Sequence, residues 1–292
     1  MQRRTFLTTA VGASVMTLSS LRSLADALPE NGVTMPVLFV GHGSPMNGIE
    51  MNDFSRTWKK VADELPVPSA VLCISAHWLT TGTAVTAMSH PRTIHDFSGF
   101  PKELHEVQYP APGAPALAAE TKKIVTQTDV GLDHDWGLDH GTWSVVRQMY
   151  PMANIPVLQL SIDYHRPGQF HFDLGKQLAP LRKKGVLIIG SGNMVHNLGM
   201  VDWRKLNEPS YGFDWALEMN EVFKKHINER NYAPLFEYEK LGKGAKLAIP
   251  TPDHYWPLLY ILGLQGAKDN ATYFNDRAVG GSLTMTSVRI AE

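Results

Sequence analysis

Cysteine is almost absent from this sequence. Its single cysteine, Cys73, lies within the apolar run of residues 70–74. It therefore cannot form an internal disulfide, and we expect it to be a small buried hydrophobic residue. A metal site built from cysteine thiolates is excluded for the same reason.

An excess of charge of either sign is also lacking. The 27 Lys and Arg residues nearly balance the 28 Asp and Glu residues, and the net charge is −1. Because no basic field is present, we expect no nucleic-acid partner. Hydrophobic residues make up 43% of the 292 residues, which is typical of a folded globular enzyme and argues against a disordered chain. The length suits one large α/β domain.

The N-terminal segment is uncharged over a long stretch but is only weakly apolar. Arg3 and Arg4 precede residues 5–21, which carry no charge and contain many Ser, Thr and Gly residues. This composition is too polar for a comfortable membrane span. The paired arginines resemble a twin-arginine export signal, and the Ala-Asp-Ala sequence at residues 25–27 resembles a peptidase site. A disordered tail is the alternative interpretation.

We therefore predict a signal peptide over residues 1–27 and a catalytic domain over residues 28–292. Twin-arginine export carries proteins that are already folded, which suits an enzyme that is loaded with metal before export. The export machinery is the expected partner of the signal, and the periplasm is the expected destination. No membrane association is expected after export.

Five short apolar runs bounded by turn residues predict strands that are buried on both faces. They are residues 37–40, 70–75, 155–161, 185–189 and 245–249, with residues 83–87 as a further candidate. Helical periodicity lies between them, at residues 52–65, 114–126, 143–150, 169–181 and 214–229. The alternation predicts a single α/β domain with a largely parallel central sheet flanked by helices. The long aromatic loop at residues 90–113 is predicted to fold over a site.

Four of the twelve histidines follow predicted strands. His42, His77, His196 and His254 come after the runs that end at residues 40, 75, 189 and 249. Because the carboxyl ends of parallel strands line one crevice, we expect these imidazoles to converge. Imidazole is a good ligand for zinc, iron and copper, and three such ligands leave positions free for water or substrate. The pattern predicts a catalytic metal, although a lone histidine is more often structural.

Other motifs give weaker or negative indications. The sequence contains no His-Glu-x-x-His and no Gly-x-Ser-x-Gly motif, and residues 190–193 lack the lysine and glycine spacing of a phosphate loop. His140 precedes a predicted helix and is assigned a proton-transfer role. Asp139 is either an orienting carboxylate or the cap of that helix. His134 is a weaker candidate.

Five separated motifs occur together in this chain. They are Gly-His-Gly-Ser-Pro at residues 41–45, Ser-Ala-His-Trp at 75–78, Leu-Asp-His-Gly at 138–141, Asn-Met-Val-His-Asn at 193–197 and Thr-Pro-Asp-His at 251–254. In this order they resemble the DOPA-type extradiol ring-cleaving dioxygenases of class III. Residues 94–101 and 109–113 also resemble that family. The likeness extends over about residues 35 to 290.

The resemblance implies an α/β domain that binds one divalent metal and opens a catechol ring with molecular oxygen. His42, His77 and His254 match metal-ligand positions, and His196 is either a fourth ligand or a catalytic acid/base. His140 matches a catalytic histidine beside the substrate. The cofactor is expected to be Fe(II) for dioxygenase activity or Zn(II) as bound, because an all-histidine site suits zinc although zinc has no redox chemistry.

The expected partners are a small catechol substrate, similar to DOPA, and molecular oxygen. Trp78, Phe97, Phe100 and Tyr109 are candidates to stack on the substrate ring, although each alone is more often a core residue. Two other functions stay open on the sequence. One is a zinc-dependent hydrolase, since zinc with an open position produces a nucleophilic hydroxide. The other is a non-catalytic metal-binding protein on the same fold.

Overall fold

The computed structural model describes residues 32–292. The predicted signal peptide at residues 1–27 lies outside the described residues. Within residues 32–292, no helix combines the length and the apolar character that a membrane crossing requires.

Ten strands occur in the described chain. They are β1 (Val37–Gly41), β2 (Ala70–Thr80), β3 (Thr83–Thr86), β4 (Val130–Asp133), β5 (Val157–Asp163), β6 (Val186–Gly192), β7 (Asn270–Phe274), β8 (Ala278–Val279), β9 (Leu283–Thr284) and β10 (Ser287–Ala291). Eight of them form one sheet in the order β4-β3-β5-β2-β6-β1-β10-β7, and β8 pairs with β9. The four central strands β5, β2, β6 and β1 are parallel. Strand β3 joins β5 in the antiparallel sense, and β10 joins β1 and β7 in the same way.

In the part of the chain that the structure describes, ten α-helices cover the sheet or lie in its connections. They are α1 (Asp53–Glu64), α2 (Lys102–His105), α3 (Pro115–Ile124), α4 (His140–Met149), α5 (Gly168–Gln177), α6 (Ala179–Arg182), α7 (Asp214–Asn228), α8 (Ala233–Phe236), α9 (Ala245–Ala248) and α10 (Trp256–Gly263). Four short 3-10 helices lie at Pro45–Gly48, Leu198–Met200, Trp203–Lys205 and Tyr238–Lys240. The single α/β domain with a mostly parallel sheet between helices confirms the predicted fold class.

The central strands are apolar because both of their faces are buried. Successive side chains of β6 enter different core clusters: Ile188 belongs to the cluster that includes residues of α5 and α10, and Ile189 belongs to the cluster that includes residues of α1 and α4. This alternation follows from the two-residue period of a strand. Cys73 is fully buried on the second face, as predicted. The core is therefore divided by the sheet into two layers.

One predicted strand is wrong. Residues 245–249 contain helix α9 instead, in which Ala245 and Ala248 are buried while Lys246 and Leu247 point away from the core. Residues three apart share a face of a helix. The apolar pattern of this short run is therefore compatible with a buried helix as well as with a buried strand. Of the four histidines expected to follow strands, only His42 and His196 therefore do so, after β1 and β6, because His77 lies within β2 rather than after it.

Other boundaries differ in smaller ways. The predicted helix at residues 169–181 is divided into α5 and α6, and Pro180 lies at the start of α6, where its missing N–H costs no hydrogen bond. Strand β2 continues beyond residue 75 to Thr80. The candidate strand at residues 83–87 is confirmed as β3. The C-terminal strands β7 and β10 were not predicted, because their partly exposed polar residues obscure the apolar pattern.

A buried ion pair joins the end of α6 to the C-terminal region. The Nη1 atom of Arg182 lies 2.6 Å from Asp269 Oδ2, and Nη2 lies 3.1 Å from Oδ1. Arg182 also donates to the backbone oxygens of Met35 and Leu264. Both charged side chains are almost completely buried.

We expect Asp269→Ala to destabilise the fold by about 3–5 kcal/mol, because it leaves a buried guanidinium without its counter-charge. Urea unfolding followed by circular dichroism measures this loss. Asp135→Ala, at an exposed position, is the control and should change the unfolding free energy by less than about 0.5 kcal/mol. A loss below about 1 kcal/mol for Asp269→Ala would show that the pair contributes no more than a surface ion pair.

Candidate metal centre

His42 lies directly after β1, where the backbone turns sharply. A Cβ atom added at Gly41 would lie 2.6 Å from the backbone oxygen of Met285, and Gly43 has a φ of +59°, in the left-handed region that glycine favours. The backbone N–H of His42 donates to the oxygen of Gly192 at the end of β6, at 3.1 Å. The flanking glycines thus allow the imidazole to stand at the carboxyl ends of the strands.

His77 lies in an irregular part of β2. The register of β2 against β5 shifts between Ile74 and Leu79, and pairing with β6 ends at Ser75. The side chain is seated against the start of α4, where a Cβ atom at Gly141 would lie 2.9 Å from His77 Cδ2 and 2.5 Å from Ser75 Oγ. Glycine at this position makes room for the imidazole.

His254 reaches the same edge although no strand precedes it. Its backbone oxygen accepts a hydrogen bond from the N–H of Asn193 at 2.9 Å, just beyond β6. A Cβ atom at Gly192 would lie only 2.1 Å from that oxygen. His196 lies beside it, with the two rings stacked at 3.6 Å between centroids and 5° between planes. Backbone contacts with the end of β6 therefore position His254, because no strand leads directly to it.

Five histidines predicted as site residues form one cluster. The ring centroids of His42, His77 and His254 are separated by 5.1, 5.2 and 5.0 Å. The centroid of His140 lies 3.9 Å from that of His77 and 5.6 Å from that of His42. Nitrogen atoms of His42, His77 and His140 lie within 4.8 Å of one another, and His196 stacks on His254. The structure thus brings together His42, His77, His196 and His254, as the sequence predicted, and His140 lies with them.

The hydrogen bonds around His42 determine which of its nitrogens carries the proton. Ser191 Oγ donates its single proton to the backbone oxygen of Gly141, at 2.5 Å. The same Oγ lies 3.0 Å from His42 Nδ1, so it must accept a proton there. His42 therefore carries its proton on Nδ1, and its Nε2 atom presents a lone pair.

Carboxylates impose the same state on two further imidazoles. Asp253 accepts a hydrogen bond from Nδ1 of His254, and Asp96 Oδ2 lies 3.3 Å from Nδ1 of His77. Nε2 of His77 in turn faces Nε2 of His42 at 3.2 Å. Two lone pairs at this distance repel each other unless a cation lies between them. This arrangement of neutral nitrogen donors fits a bound divalent metal ion.

Burial keeps these imidazoles neutral. It lowers the pKa of His42 and of His254 well below the ordinary value, and neighbouring histidines lower both further. Burial also lowers the pKa of His77 to about 3 and that of His196 to about 4. Neutral imidazole is the form that binds a metal, so the cluster is ready to coordinate a metal at neutral pH without first losing protons.

Asp139 is the helix cap rather than a partner of a metal ligand. Its carboxylate accepts a hydrogen bond from the N–H of Thr142 at 3.0 Å, at the start of α4. It also accepts bonds from Ser75 Oγ and Gln159 Nε2, each at 2.7 Å. Burial, followed by the nearby charge of Asp96, raises the pKa of Asp139. Of the two roles considered for this residue, the structure shows capping.

Three polar residues contact the histidines but were not predicted as site residues: Asp96, Ser191 and Asp253. Asp96 lies in a loop, and Ser191 lies inside β6, so neither position shows a pattern that distinguishes it from ordinary polar residues. Asp253 is next to a predicted ligand, which was a usable signal. Its carboxylate faces Nδ1 of that ligand.

The four aromatic residues proposed as substrate contacts lie in different surroundings. The ring of Phe97 lies 5.6 Å from that of His140, and the ring of Phe100 lies 5.4 Å from that of Phe97. Trp78 is buried and stacks on Trp136 at 5.7 Å. Tyr109 is also buried, and its hydroxyl donates to the backbone oxygen of Tyr150 at 2.9 Å. The weaker candidate His134 is exposed.

Comparison with known proteins places this site in a family. Residues 33–285 match the family described as the catalytic LigB subunit of aromatic ring-opening dioxygenase. The chain is 46% identical over 260 residues to a 4,5-DOPA dioxygenase extradiol of Escherichia coli K12, covering 88% of this chain and 94% of the relative. It is 34% identical over 267 residues to a 4,5-DOPA dioxygenase extradiol of Beta vulgaris, covering 86% of this chain and 94% of that one.

A solved structure agrees with these relatives. The crystal structure of an uncharacterized protein from Escherichia coli K12 superposes with a TM-score of 0.76 at 42% sequence identity, covering 88% of this chain and all of the other. The family match and these relatives identify the chain as an oxidoreductase of the ring-cleaving dioxygenase class. The chain belongs to the LigB family of aromatic ring-opening dioxygenases. Membership confirms the resemblance seen in the motifs and favours the oxidoreductase over the hydrolase and the non-catalytic alternatives.

The contact between Ser191 and His42 gives a test of the metal centre. Ser191→Ala removes the acceptor at Nδ1 of His42, and we expect metal affinity to fall by about 10–100-fold, as is usual when the partner of a ligand is lost. Competition with a chromophoric chelator measures the affinity for zinc. Ser161→Ala is the matched control, because Ser161 is a buried serine that bonds Thr80 and Ala84 instead. Equal affinities of the two variants would show that the serine does not support a ligand.

Proposed function

We propose that this protein is an Fe(II)-dependent extradiol dioxygenase that opens the ring of a DOPA-like catechol with molecular oxygen. The proposal rests on one observation above the others: the rings of three neutral imidazoles, those of His42, His77 and His254, are separated from one another by nearly equal distances of 5.0 to 5.2 Å. The relatives named as 4,5-DOPA dioxygenases support the substrate class.

The ring separations are those expected around a tetrahedral ion. An imidazole centroid lies about 3.2 Å from an ion bound to Nε2 at about 2.0–2.1 Å, so tetrahedral angles separate two centroids by about 5.2 Å. The separations among His42, His77 and His254 are 5.1, 5.2 and 5.0 Å. We therefore assign these three as the metal ligands.

His140 competes with His254 for the third position, because its nitrogen lies close to those of His42 and His77. The ring separations favour His254. The 3.9 Å between the centroids of His77 and His140 is too short for two imidazoles at a tetrahedral angle on one ion. We assign His140 to proton transfer.

Iron is the proposed working metal, because zinc has no redox role in a reaction with oxygen. When bound, the ion would act as a Lewis acid that lowers the pKa of the catechol hydroxyls. The chain itself supplies His140 and His196. The ring of His140 lies beside that of His77, and the ring of His196 stacks on that of His254. We assign both to the transfer of protons to or from the substrate oxygens. Phe97, which lies against His140, is the residue we assign to contact with the substrate ring.

The activity test begins with anaerobic loading of the protein with Fe(II). Oxygen is then added together with DOPA, caffeate or protocatechuate. We expect oxygen uptake and a yellow ring-opened product with at least one of these catechols, and no uptake by the zinc-loaded protein. Absence of oxygen uptake with every catechol, combined with ester or amide hydrolysis by the zinc form, would contradict the proposal.

The ligand assignment predicts a division among single variants. We expect His42→Ala, His77→Ala and His254→Ala to abolish stoichiometric metal binding, because each removes one of three ligands. We expect His140→Ala to retain metal and to slow turnover by about 10²–10⁴-fold, the usual contribution of an acid/base group. Metal content by mass spectrometry and steady-state oxygen uptake measure the two effects.

Two results would reverse this assignment. Loss of metal from His140→Ala with retention in His254→Ala would make His140 the third ligand. The same measurement on His196→Ala decides the role of His196, which we propose to be acid/base and thus to retain metal.

We also propose that the protein is exported to the periplasm by the twin-arginine pathway. The paired Arg3 and Arg4 and the uncharged stretch that follows support this. Folding with metal before transport suits a site that lies inside a single compact domain. Fractionation of cells that express the full chain should find it in the periplasm, and Arg3→Lys combined with Arg4→Lys should retain it in the cytoplasm. Periplasmic protein from the double variant would contradict this route.

A further inference from the structure

Asp96 lies in the long loop between β3 and α2, and that loop is fixed to the start of α4. The backbone N–H of Ile94 donates to the oxygen of Leu138 at 2.7 Å. The indole N–H of Trp143 donates to the oxygen of Ile94 at 2.8 Å. Asp96 Oδ1 itself accepts from the backbone N–H of His140 at 2.9 Å. The carboxylate is thus anchored by its loop and by one of its own oxygens.

The second oxygen of Asp96 faces two imidazoles at once. Oδ2 lies 3.0 Å from Nδ1 of His140 and 3.3 Å from Nδ1 of His77. The Nδ1 atom of His140 is buried and makes no aligned hydrogen bond with any residue that the structure describes, so the carboxylate acts on it as a charge contact. An ionised carboxylate has only acceptor sites. Both imidazoles are therefore favoured to carry a proton on Nδ1.

This proton placement has a different consequence in each ring. For His77 it leaves the lone pair on Nε2, the atom that faces Nε2 of His42 at 3.2 Å. For His140 it leaves Nε2 free to accept a proton. The opposite tautomer would direct an N–H toward the ion in one ring and leave the other ring without a basic nitrogen on that side.

We propose that Asp96 is a positioning residue that fixes the Nδ1-protonated tautomer of His77 and His140 together, so that one carboxylate orients both a metal ligand and the neighbouring proton carrier. The roles of His77 as metal ligand and of His140 as proton carrier rest on the proposed function. The tautomers of the two rings do not depend on that function, and they can be measured without substrate. An orienting carboxylate of this kind has a precedent in serine protease triads, where its replacement by an amide costs about 10⁴-fold in turnover through the wrong tautomer.

Asp96→Asn is the sharpest variant, because it keeps the size of the side chain. The amide oxygen can still accept from the N–H of His140, which leaves an N–H₂ donor facing the two Nδ1 atoms. We expect zinc affinity of the full chain, measured with a competing chelator, to fall by about 10–100-fold. Two-bond proton–nitrogen spectra of the zinc-loaded, histidine-labelled protein should show His140 protonated on Nδ1 in the wild type and on Nε2 in the variant.

Two control variants separate this effect from a general loss of order. Asp139→Asn perturbs the other carboxylate at the start of α4 and should lower stability while leaving the tautomer of His140 unchanged. Asp135→Asn, an exposed residue, should change neither property. Thermal unfolding of all three variants identifies any that fail to fold. If Asp96→Asn does not fold, Asp96→Ser, which has no donor group of the same reach, is examined in the same way.

Either of two results would overturn the shared role of Asp96. One is zinc affinity within about twofold of the wild type, and the other is an unchanged tautomer of His140 in a folded Asp96→Asn protein. In the iron-loaded enzyme we expect kcat to fall by about 10²–10⁴-fold with KM nearly unchanged, whereas a merely loosened loop would raise KM. If the wild type opens no catechol, the proposed function fails, but the affinity and tautomer measurements still decide this inference.

Discussion

The close approach of two imidazole nitrogens is the constraint on which the rest of the site depends. Nε2 of His42 and Nε2 of His77 lie 3.2 Å apart, while the protons of both rings are directed outward to Ser191 and Asp96. Without a cation, this arrangement brings two lone pairs together in a buried place where little water screens them. The packing of the fold must therefore offset this repulsion, and a bound metal ion would remove it.

The strands supply that rigidity. His42 and Ser191 stand at the ends of the neighbouring parallel strands β1 and β6, which are hydrogen-bonded to each other up to Gly41 and Gly192. Their imidazole–hydroxyl contact is thus set by the register of the sheet and not by a mobile loop. Glycines at the strand ends admit the backbone of Met285 on one side and of His254 on the other. Fixed elements of this kind position a ligand more accurately than loops do.

Much of this could be predicted from sequence because it follows from local patterns. Buried parallel strands give continuous apolar runs, and a histidine after such a run marks the edge at which side chains meet. The short run at residues 245–249 misled the prediction, because four or five apolar residues satisfy a turn of helix as well as a strand. His254 nevertheless joined the cluster, since its position depends on backbone contacts with β6 that no local pattern reveals. Asp96 was missed as a site residue for the same reason: its partners lie 19 and 44 residues away along the chain.

The start of helix α4 shows how one structural element can hold two carboxylates whose pKa values are shifted in opposite directions. Asp139 and Asp96 both accept backbone N–H groups there, from Thr142 and His140. Burial raises the pKa of Asp139, and the charge of Asp96 adds to this effect. Burial also opposes ionisation of Asp96, but its contacts with His140 and His77 outweigh that effect and hold its pKa at about 2.

Two like charges so close together are costly, which is why the charge of Asp96 adds to the rise in the pKa of Asp139. The partly positive helix N-terminus favours the negative charge of Asp96, which faces the imidazoles. Asp139, directed at Ser75 and Gln159, ties the helix to the sheet. The same helix end thus contributes to the stability of the domain through Asp139 and to the orientation of the histidines through Asp96.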